Sequence, residues 1–340
     1  MEPQELLQRV VNGGDVLLLS EARDLMAALL QGRFSEAAMA DLLSALHERG
    51  ETATELAGFA DAMRAASVTL PLTDAERDTL VDTCGTGGDG SGTFNISTAV
   101  GLVACAAGAK IAKHGNRAVT SRCGSADVLE ALGVRTDHTP ESAAESIRQH
   151  GFAFLLATRM HPAMKIVAPV RRSLPFRTVF NLLGPMTNPA GARRQVMGVY
   201  SAAAVPLVAQ ALALGGHMAH ALVVHGAGGL DELSLSGTST VAKVRGVDVQ
   251  PYQIDPHDAA LSASKDALAG GDAANNAAIL RSIFAGAPGP PRDIVLLNAA
   301  AVLLVSGLCS ELRMGAAMAA DAIDSGKVTH LLKQLAGERQ

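Results

Sequence analysis

The chain reads as an α/β protein: a small N-terminal helical domain plus a large α/β domain with a mostly parallel central sheet flanked by helices. Three observations predict this. At 340 residues the chain is long enough for roughly two domains of about 150 residues each. Residues 1–67 carry helical patterning alone. From residue 79 onward, short β-prone runs alternate with helical stretches and glycine-rich turns, as strands joined by crossover helices do.

In the helical part, Ser20 precedes EARDLMAALL as a candidate cap, with Arg23 where a capping box wants Glu. Ser35 precedes EAAMADLLSALHERG, where Leu42, Leu43 and Leu46 repeat at helical spacing and Gly50 supplies the stop. Thr52 and Thr54 open a further helix to about Ala66, and the Pro-bearing SVTLPLTD reads as a linker around 70–73. The expected strands are 79–83, 109–112, 153–156, 195–200, 221–225 and 240–244. The biased stretch 269–278 reads as a helix start, and the last 70 residues, rich in Ala and Leu, as packing helices.

Composition removes several classes of function. With 48% hydrophobic and 18% charged residues, the chain buries a sizeable core and is not mainly disordered. A net charge of -5 gives no global attraction to nucleic acid or to an anionic membrane. Eight Phe, two Tyr and no Trp leave no stacking platform for single-stranded nucleic acid. Cys84, Cys105, Cys123 and Cys309 are too widely spaced to read as a disulfide framework or a zinc motif. The first residues lack a secretory pattern, and the longest near-apolar run, 99–109, is shorter than the ~20 residues that span a bilayer. The expectation is a soluble, cytoplasmic protein with no nucleic-acid or membrane partner.

Ligands of open α/β sheets bind beyond the carboxyl ends of the strands. Three loops at such positions carry unusual residues. The first is CGTGGDGSGTFNIST, with Gly85, Gly87, Gly88, Gly90 and Gly92 ahead of a helix that begins near Asn95, Ser97 and Thr98. Clustered glycines let backbone N–H groups converge on an anion, and a helix start adds its dipole. The literal GxGxxG at Gly85–Gly90 is not a dinucleotide site: Lys110, Lys113 and Arg117 stand where an acidic residue is needed. No GK[ST] follows, so it is not a Walker A loop either. The second loop crowds Lys113, His114, Asn116 and Arg117 around Gly115. Ser121, Gly124 and Ser125 then open another helix. The third places Asp231 next to Glu232 after a glycine-rich turn, a pair suited to Mg²⁺ beside phosphate. His217, His220 and His225 read as structural rather than metal-binding.

Together GTGGDGSGTFNIST (85–98), AKHGNRAVTS (112–121), GSADVLEALGV (124–134), HPAMKIVAPVRRSL (161–174), FNLLGPMTNPA (180–190) and HGAGGLDELS (225–234) resemble the successive signatures of the anthranilate phosphoribosyltransferases. The resemblance covers most of the chain. It implies joining of anthranilate to phosphoribosyl pyrophosphate, with pyrophosphate released, in tryptophan biosynthesis. It implies Mg²⁺, two ions per site, and a homodimer formed through the helical domain. It implies that a segment at about 168–188 returns to the helical domain. Residues 1–72 with 168–188 would then form one body, and 73–167 with 189–340 the other.

By motif, Gly85, Thr86, Gly87, Gly88 and Asp89 would form the pyrophosphate loop. Thr93, Asn95, Ser97, Thr98, Lys113 and Ser125 would hold the same donor. Gly85, His114, Asn116, Arg171 and Pro185 match anthranilate positions, and Ser97, Asp231 and Glu232 match metal positions. No residue is implied as a covalent catalyst. Lys113, His114 and Arg171 would act by electrostatics and positioning. Asp89 should repel phosphate, so it acts through metal, water or ribose hydroxyls, or as a loop-closing acceptor; the sequence does not choose. Cys84 stands where the family more often has Val, and Arg122-Cys123 replaces small or Lys-type residues. Two other readings compete: a pyrimidine nucleoside phosphorylase, which the KHGNR run and the Asp-Glu pair oppose, and a non-catalytic nucleotide-binding relative, which the intact motifs oppose.

Overall fold

Four helices open the chain: α1 (Pro3–Gly13), α2 (Leu19–Leu30), α3 (Glu36–Arg49) and α4 (Ala53–Ala65). The computed structural model describes residues 1–118, 122–264 and 268–337. Ser35 caps α3 by accepting the Ala38 N–H at 3.2 Å, and Gly50 ends it at φ 84°. Thr52 and Glu55 form a capping box on α4. The cap expected at Ser20 lies too late. The N-cap is Leu18, two residues earlier, and Glu21 accepts the Leu18 N–H at 3.0 Å. Glu21 also takes Arg9 of α1 at 2.7 Å, a tertiary partner that local spacing does not reveal.

The α/β part begins with α5 (Asp74–Thr79), which claims Thr79 from the expected strand, and β1 (Leu80–Asp82). Then follow α6 (Ile96–Ala106), β2 (Lys110–Gly115), α7 (Ser125–Ala131), α8 (Pro140–His150) and β3 (Phe152–Leu156). The chain leaves the sheet through α9 (Ala157–Met160), α10 (Met164–Ser173) and α11 (Phe180–Leu183). It returns as β4 (Arg194–Gly198), α12 (Ala204–Gly215), β5 (His220–His225), β6 (Ser239–Arg245) and β7 (Asp248–Ile254). It closes with α13 (Ala273–Phe284), α14 (Pro290–Ser306), α15 (Leu312–Asp324) and α16 (Lys327–Leu335).

The sheet runs β3-β2-β1-β4-β5-β6-β7. The first five strands pair in parallel; β6 and β7 are antiparallel additions. The expected strand at 240–244 is therefore present but reversed in direction, and β7 was not expected at all. β7 is an edge strand, mostly exposed, with Pro251 inside it, so it lacks the apolar alternation that marks a strand. The parallel strands β1 and β3 are buried along their whole length.

Strand order reverses at β1: β2 and β3 lie on one side, β4 and β5 on the other. Such a switch point opens a crevice at the carboxyl ends of its strands. One sheet face packs on α6 and α13–α16. The other shares a continuous core with α1–α4, α10, α11 and α12. The linker at 70–73 is not free. Leu70 and Leu72 are buried, and Arg77 donates to the carbonyls of Leu70, Leu72 and Ala190 at 3.0–3.1 Å.

Candidate active site

The loop after β1 sits at the switch point. Gly87 and Gly88 both have positive φ, 62° and 71°, a pairing that few side chains tolerate. Three contacts tie the loop down. Thr86 N–H donates to the Gly198 carbonyl at the end of β4 at 2.9 Å. Gly87 N–H donates to Asp231 Oδ2 at 2.7 Å, and Ser91 N–H to Asp89 Oδ1 at 3.0 Å. Among the described residues, the N–H groups of Gly88, Asp89 and Gly90 have no protein partner. Free, converging amides of this kind form an anion-binding nest. The Thr86 hydroxyl is buried there without a partner.

Asp89 closes the loop. Its Oδ1 also accepts the Ser91 hydroxyl at 2.9 Å, and its Oδ2 accepts the Asp231 N–H at 3.3 Å. Of the roles left open by the sequence, loop closure is the one the geometry displays. Thr93 bridges to Ala269, and Phe94 N–H donates to the Leu268 carbonyl at 3.0 Å. The Asn95 side chain is spent on protein contacts: it donates to the Cys123 carbonyl and accepts from Asn276 at 2.8 Å. Thr98 is fully buried on α6, its hydroxyl unpartnered.

Lys113 lies beneath the loop rather than in the cleft. It is 1% exposed, and its Nζ donates to the Thr83 carbonyl, to Thr83 Oγ1 and to Ser97 Oγ at 3.1–3.2 Å. Burial pushes its ammonium below the usual lysine range, while the nearby carboxylates of Asp82, Glu232 and Asp231 oppose that shift. Arg117, its neighbour in the second loop, is engaged elsewhere. Its guanidinium pairs with Glu130 at 2.8 Å and lies near Asp127, because α7 presents both carboxylates to it. Asn116 is exposed, and Ser125 is half-buried at the start of α7, capped by Gly124. Ser121 lies outside the described residues.

The third loop runs from β5 to Asp231 and Glu232, and Asn298 of α14 anchors it. Asn298 Oδ1 accepts the Leu233 N–H at 2.8 Å and its Nδ2 donates back to the Leu233 carbonyl. Gly198 makes room for the loop: a Cβ there would sit 1.4 Å from the Asp231 carbonyl oxygen. Burial, then the charge on Asp89, raises the Asp231 carboxyl to about 6. Burial, then Asp231, holds Glu232 well above the carboxylate range, with the Ser97 N–H opposing. Two hard-oxygen donors that each resist ionisation beside the other are the donor set that Mg²⁺ favours. Asp231 and Glu232 are thus the residues that could hold Mg²⁺, with Ser97, whose N–H faces Glu232, beside them.

Arg171, His114 and Pro185, matched by motif to the acceptor, lie on or beside α10, β2 and α11. Arg171 lies over the Phe180 ring at 5.2 Å, half-buried, with no carboxylate partner among the described residues. α11 carries the chain from Phe180 to Gly184, about 6 Å at the helical rise. There the Gly184 carbonyl faces His114. Pro185 is buried, and its carbonyl accepts Gln195 Nε2 at 2.8 Å. Burial, then His161, whose ring lies 5.0 Å away, lowers His114 to about 3, so the ring is neutral. Of the remaining histidines, His225 Nδ1 bonds the Val199 carbonyl at 2.8 Å and His217 meets Asp61 at 3.2 Å.

Sequence reading missed Arg177. It comes from the segment between α10 and α11, stacks on Tyr200 at 4.3 Å, and donates to the Gly88 carbonyl inside the nest. Its only sequence signal is its place two residues ahead of the FNLLGP stretch's leading Val-Phe. It also missed Asp82, Thr83, Gly198 and Asn298, which touch the site from behind.

A phosphate-type nest and a carboxylate pair at a sheet switch point, backed by a helical bundle, define a glycosyltransferase with a phosphorylated donor. Residues 4–67 match the glycosyl transferase family helical bundle domain, and residues 77–329 its a/b domain. The anthranilate phosphoribosyltransferase of Desulforamulus reducens is 48% identical over 97% of this chain and 94% of its own length. The crystal structure of anthranilate phosphoribosyltransferase from Thermus thermophilus superposes with a TM-score of 0.90 at 43% identity, covering 98% of both chains. The Saccharomyces cerevisiae enzyme in complex with PRPP and Mg superposes at 0.87 with 28% identity, over 99% of this chain and 97% of that one. Its complex with 4-fluoroanthranilate gives 0.86 at 26% identity, with the same coverage. The chain belongs to the anthranilate phosphoribosyltransferase family.

Proposed function

We propose that the chain transfers the 5-phosphoribosyl group of phosphoribosyl pyrophosphate to the amine of anthranilate, a step of tryptophan biosynthesis. The amine nitrogen bonds to ribose C1, the C1–O bond to pyrophosphate breaks, and the amine loses a proton to solvent. The observation that carries this reading is the tie from the glycine nest to Asp231 at a switch point where Lys113 is buried against Thr83 and Ser97, on either side of the loop.

Positive charge develops on the ribose ring and negative charge on the departing pyrophosphate. The N–H groups of Gly88, Asp89 and Gly90 take the leaving charge, with Gly85, Thr86 and Gly87 shaping the loop. Thr93, Asn95, Ser97, Thr98 and Ser125 bound the donor, and Asn95, Thr98 and Lys113 act from behind the surface. Asp231, Glu232 and Ser97 would hold Mg²⁺, two ions per site, which when bound neutralises pyrophosphate oxygens. Arg171 pairs the anthranilate carboxylate through its fork, and His114, Asn116, Gly85 and Pro185 frame the ring. No covalent intermediate is required.

The residues 1–72 with 168–188 act as one body against 73–167 with 189–340. α10 and α11 pack on α2–α4, in support of that division. We place the protein in the cytoplasm as a homodimer formed through the helical body. Val16 and Leu18, 52% and 67% exposed beside α2, are apolar surface for that contact. No helix among the described residues is long and apolar enough to cross a membrane.

Anthranilate fluoresces and the chain has no Trp, so its consumption is read directly. Signal loss that requires protein, anthranilate, phosphoribosyl pyrophosphate and Mg²⁺ together supports the reading. No loss with folded protein overturns it and directs the test to nucleoside plus phosphate.

A further inference from the structure

We propose that Asp82, Cys84 and His114 form a second metal site, one for a thiophilic divalent cation of the Zn²⁺ class, separate from the hard-oxygen site of Asp231 and Glu232. The topology assembles it. Asp82 ends β1 and Cys84 follows two residues later, on the same side of the strand path. β2 runs parallel beside it, with Val81 opposite Ile111, which brings His114 level with Cys84. One ligand atom from each of the three residues lies within 4.8 Å of the others.

The donors are prepared for a ligand. Asp82 Oδ1 is occupied by the N–H groups of Cys84 and His114, both at 3.1 Å. This fixes the carboxylate and both partners' backbones in one arrangement. Among the described residues, Asp82 Oδ2 is buried beside the Asn188 side chain with no close hydrogen bond, and one ring nitrogen of His114 is left over, the other facing the Gly184 carbonyl. Asp82 is 1% exposed and His114 is 3% exposed. Buried polar atoms are nearly always paired, so these two on adjoining residues need an account. Cys84 Sγ, the third donor, makes only a long 3.6 Å contact to the Gly85 carbonyl.

The donor set selects the ion. A thiolate, an imidazole and a single carboxylate oxygen suit Zn²⁺ or Co²⁺ and not Mg²⁺, which demands oxygen ligands. Three protein ligands leave a fourth tetrahedral position for water. Cys84 is half-buried, the least enclosed of the three residues. On binding, the Cys84 thiol gives its proton to the buffer. Its sulfur, one His114 nitrogen and Asp82 Oδ2 each donate a lone pair to the cation.

The test uses the full chain stripped with chelator and titrated with Co²⁺. The expected result is a sulfur-to-cobalt charge-transfer band that saturates at one equivalent, is displaced by Zn²⁺ and is untouched by Mg²⁺. Cys84→Val abolishes the band and weakens Zn²⁺ binding by more than about a hundredfold, beyond the loss that an outer-shell change causes. Cys309→Ser, at a cysteine far from the loop, retains it. No band in the native chain overturns the proposal, and so does a band that survives in Cys84→Val. Circular dichroism of each variant separates loss of a ligand from loss of the fold.

Discussion

Asp89 and Asp231 hold each other's loops: the Asp231 N–H donates to Asp89 Oδ2 at 3.3 Å, while Asp231 Oδ2 accepts the Gly87 N–H at 2.7 Å. Two carboxylates this close repel, which is why Asp89 contributes to raising Asp231. The repulsion is tolerated because each is also the acceptor that orders the other's backbone. The glycine loop and the Asp231-Glu232 loop are therefore one mechanical unit.

That coupling predicts the effect of Asp89→Asn. The amide keeps the shape and one acceptor oxygen, but its NH₂ accepts nothing, so either the Ser91 contact or the Asp231 contact is lost. The apparent Mg²⁺ affinity should fall about ten- to a hundredfold, as for other groups that orient metal ligands. The Mg²⁺ dependence of the initial rate measures this. An unchanged Mg²⁺ midpoint would show that Asp89 does not position Asp231.

Arg171 lacks a carboxylate partner, so Arg171→Lys should raise the anthranilate KM without moving that for phosphoribosyl pyrophosphate. A charged hydrogen-bond pair contributes about 1.5–3 kcal/mol, and loss of the fork geometry should cost at least tenfold. Saturation curves for both substrates decide it; equal shifts in both would assign Arg171 to the architecture of the cleft.

Glu55 carries the helical body. It is fully buried and accepts the Leu17 N–H at 3.1 Å, the Thr52 N–H at 3.0 Å and the Arg49 guanidinium at 2.7 Å. Glu55→Ala strands these donors and should lower the unfolding free energy by about 3–5 kcal/mol. Urea unfolding provides the value, and a loss below ~1 kcal/mol would contradict the assignment.

His220 predicts a pH dependence. Burial, then Arg245, lowers it to about 4 in the fold, against about 6.5 when unfolded. Between those values the unfolded chain binds the extra proton, so stability is full above pH 6.5 and declines as pH falls toward 4. The slope from this group is at most about 1.4 kcal/mol per pH unit. His220→Gln should flatten the stability profile in that window, and an identical slope would rule out His220 as its source.

The three candidate loops were legible because backbone chemistry writes itself into sequence. Glycines at 87 and 88, a helix start at Asn95 and the Asp231-Glu232 pair each betray a local requirement. The parallel strands were legible as buried apolar runs. β7 was not, because Pro251 and an exposed edge leave no pattern to read. Lys113 and Arg117 looked alike as cations near a strand end. One became a buried post beneath the nest and the other a surface ion pair, since the pleat turns Lys113 inward and α7 offers Arg117 two carboxylates. Arg177 went unnoticed because its partners, Gly88 and Tyr200, are contributed by distant parts of the chain.

The amino-acid order by itself determined the helical start, the alternating α/β remainder, the glycine-built turn after β1 and, through its motifs, the family. Each rests on short-range physics: periodicity, capping, and backbone angles open mainly to glycine. Only the tertiary structure decided which side chains meet. That Asp89 accepts from Asp231, that Asn298 anchors the third loop, and that Asp82, Cys84 and His114 converge all follow from strand register and close packing. Contacts between residues far apart in the chain depend on where the sheet places their backbones, and no local pattern records that.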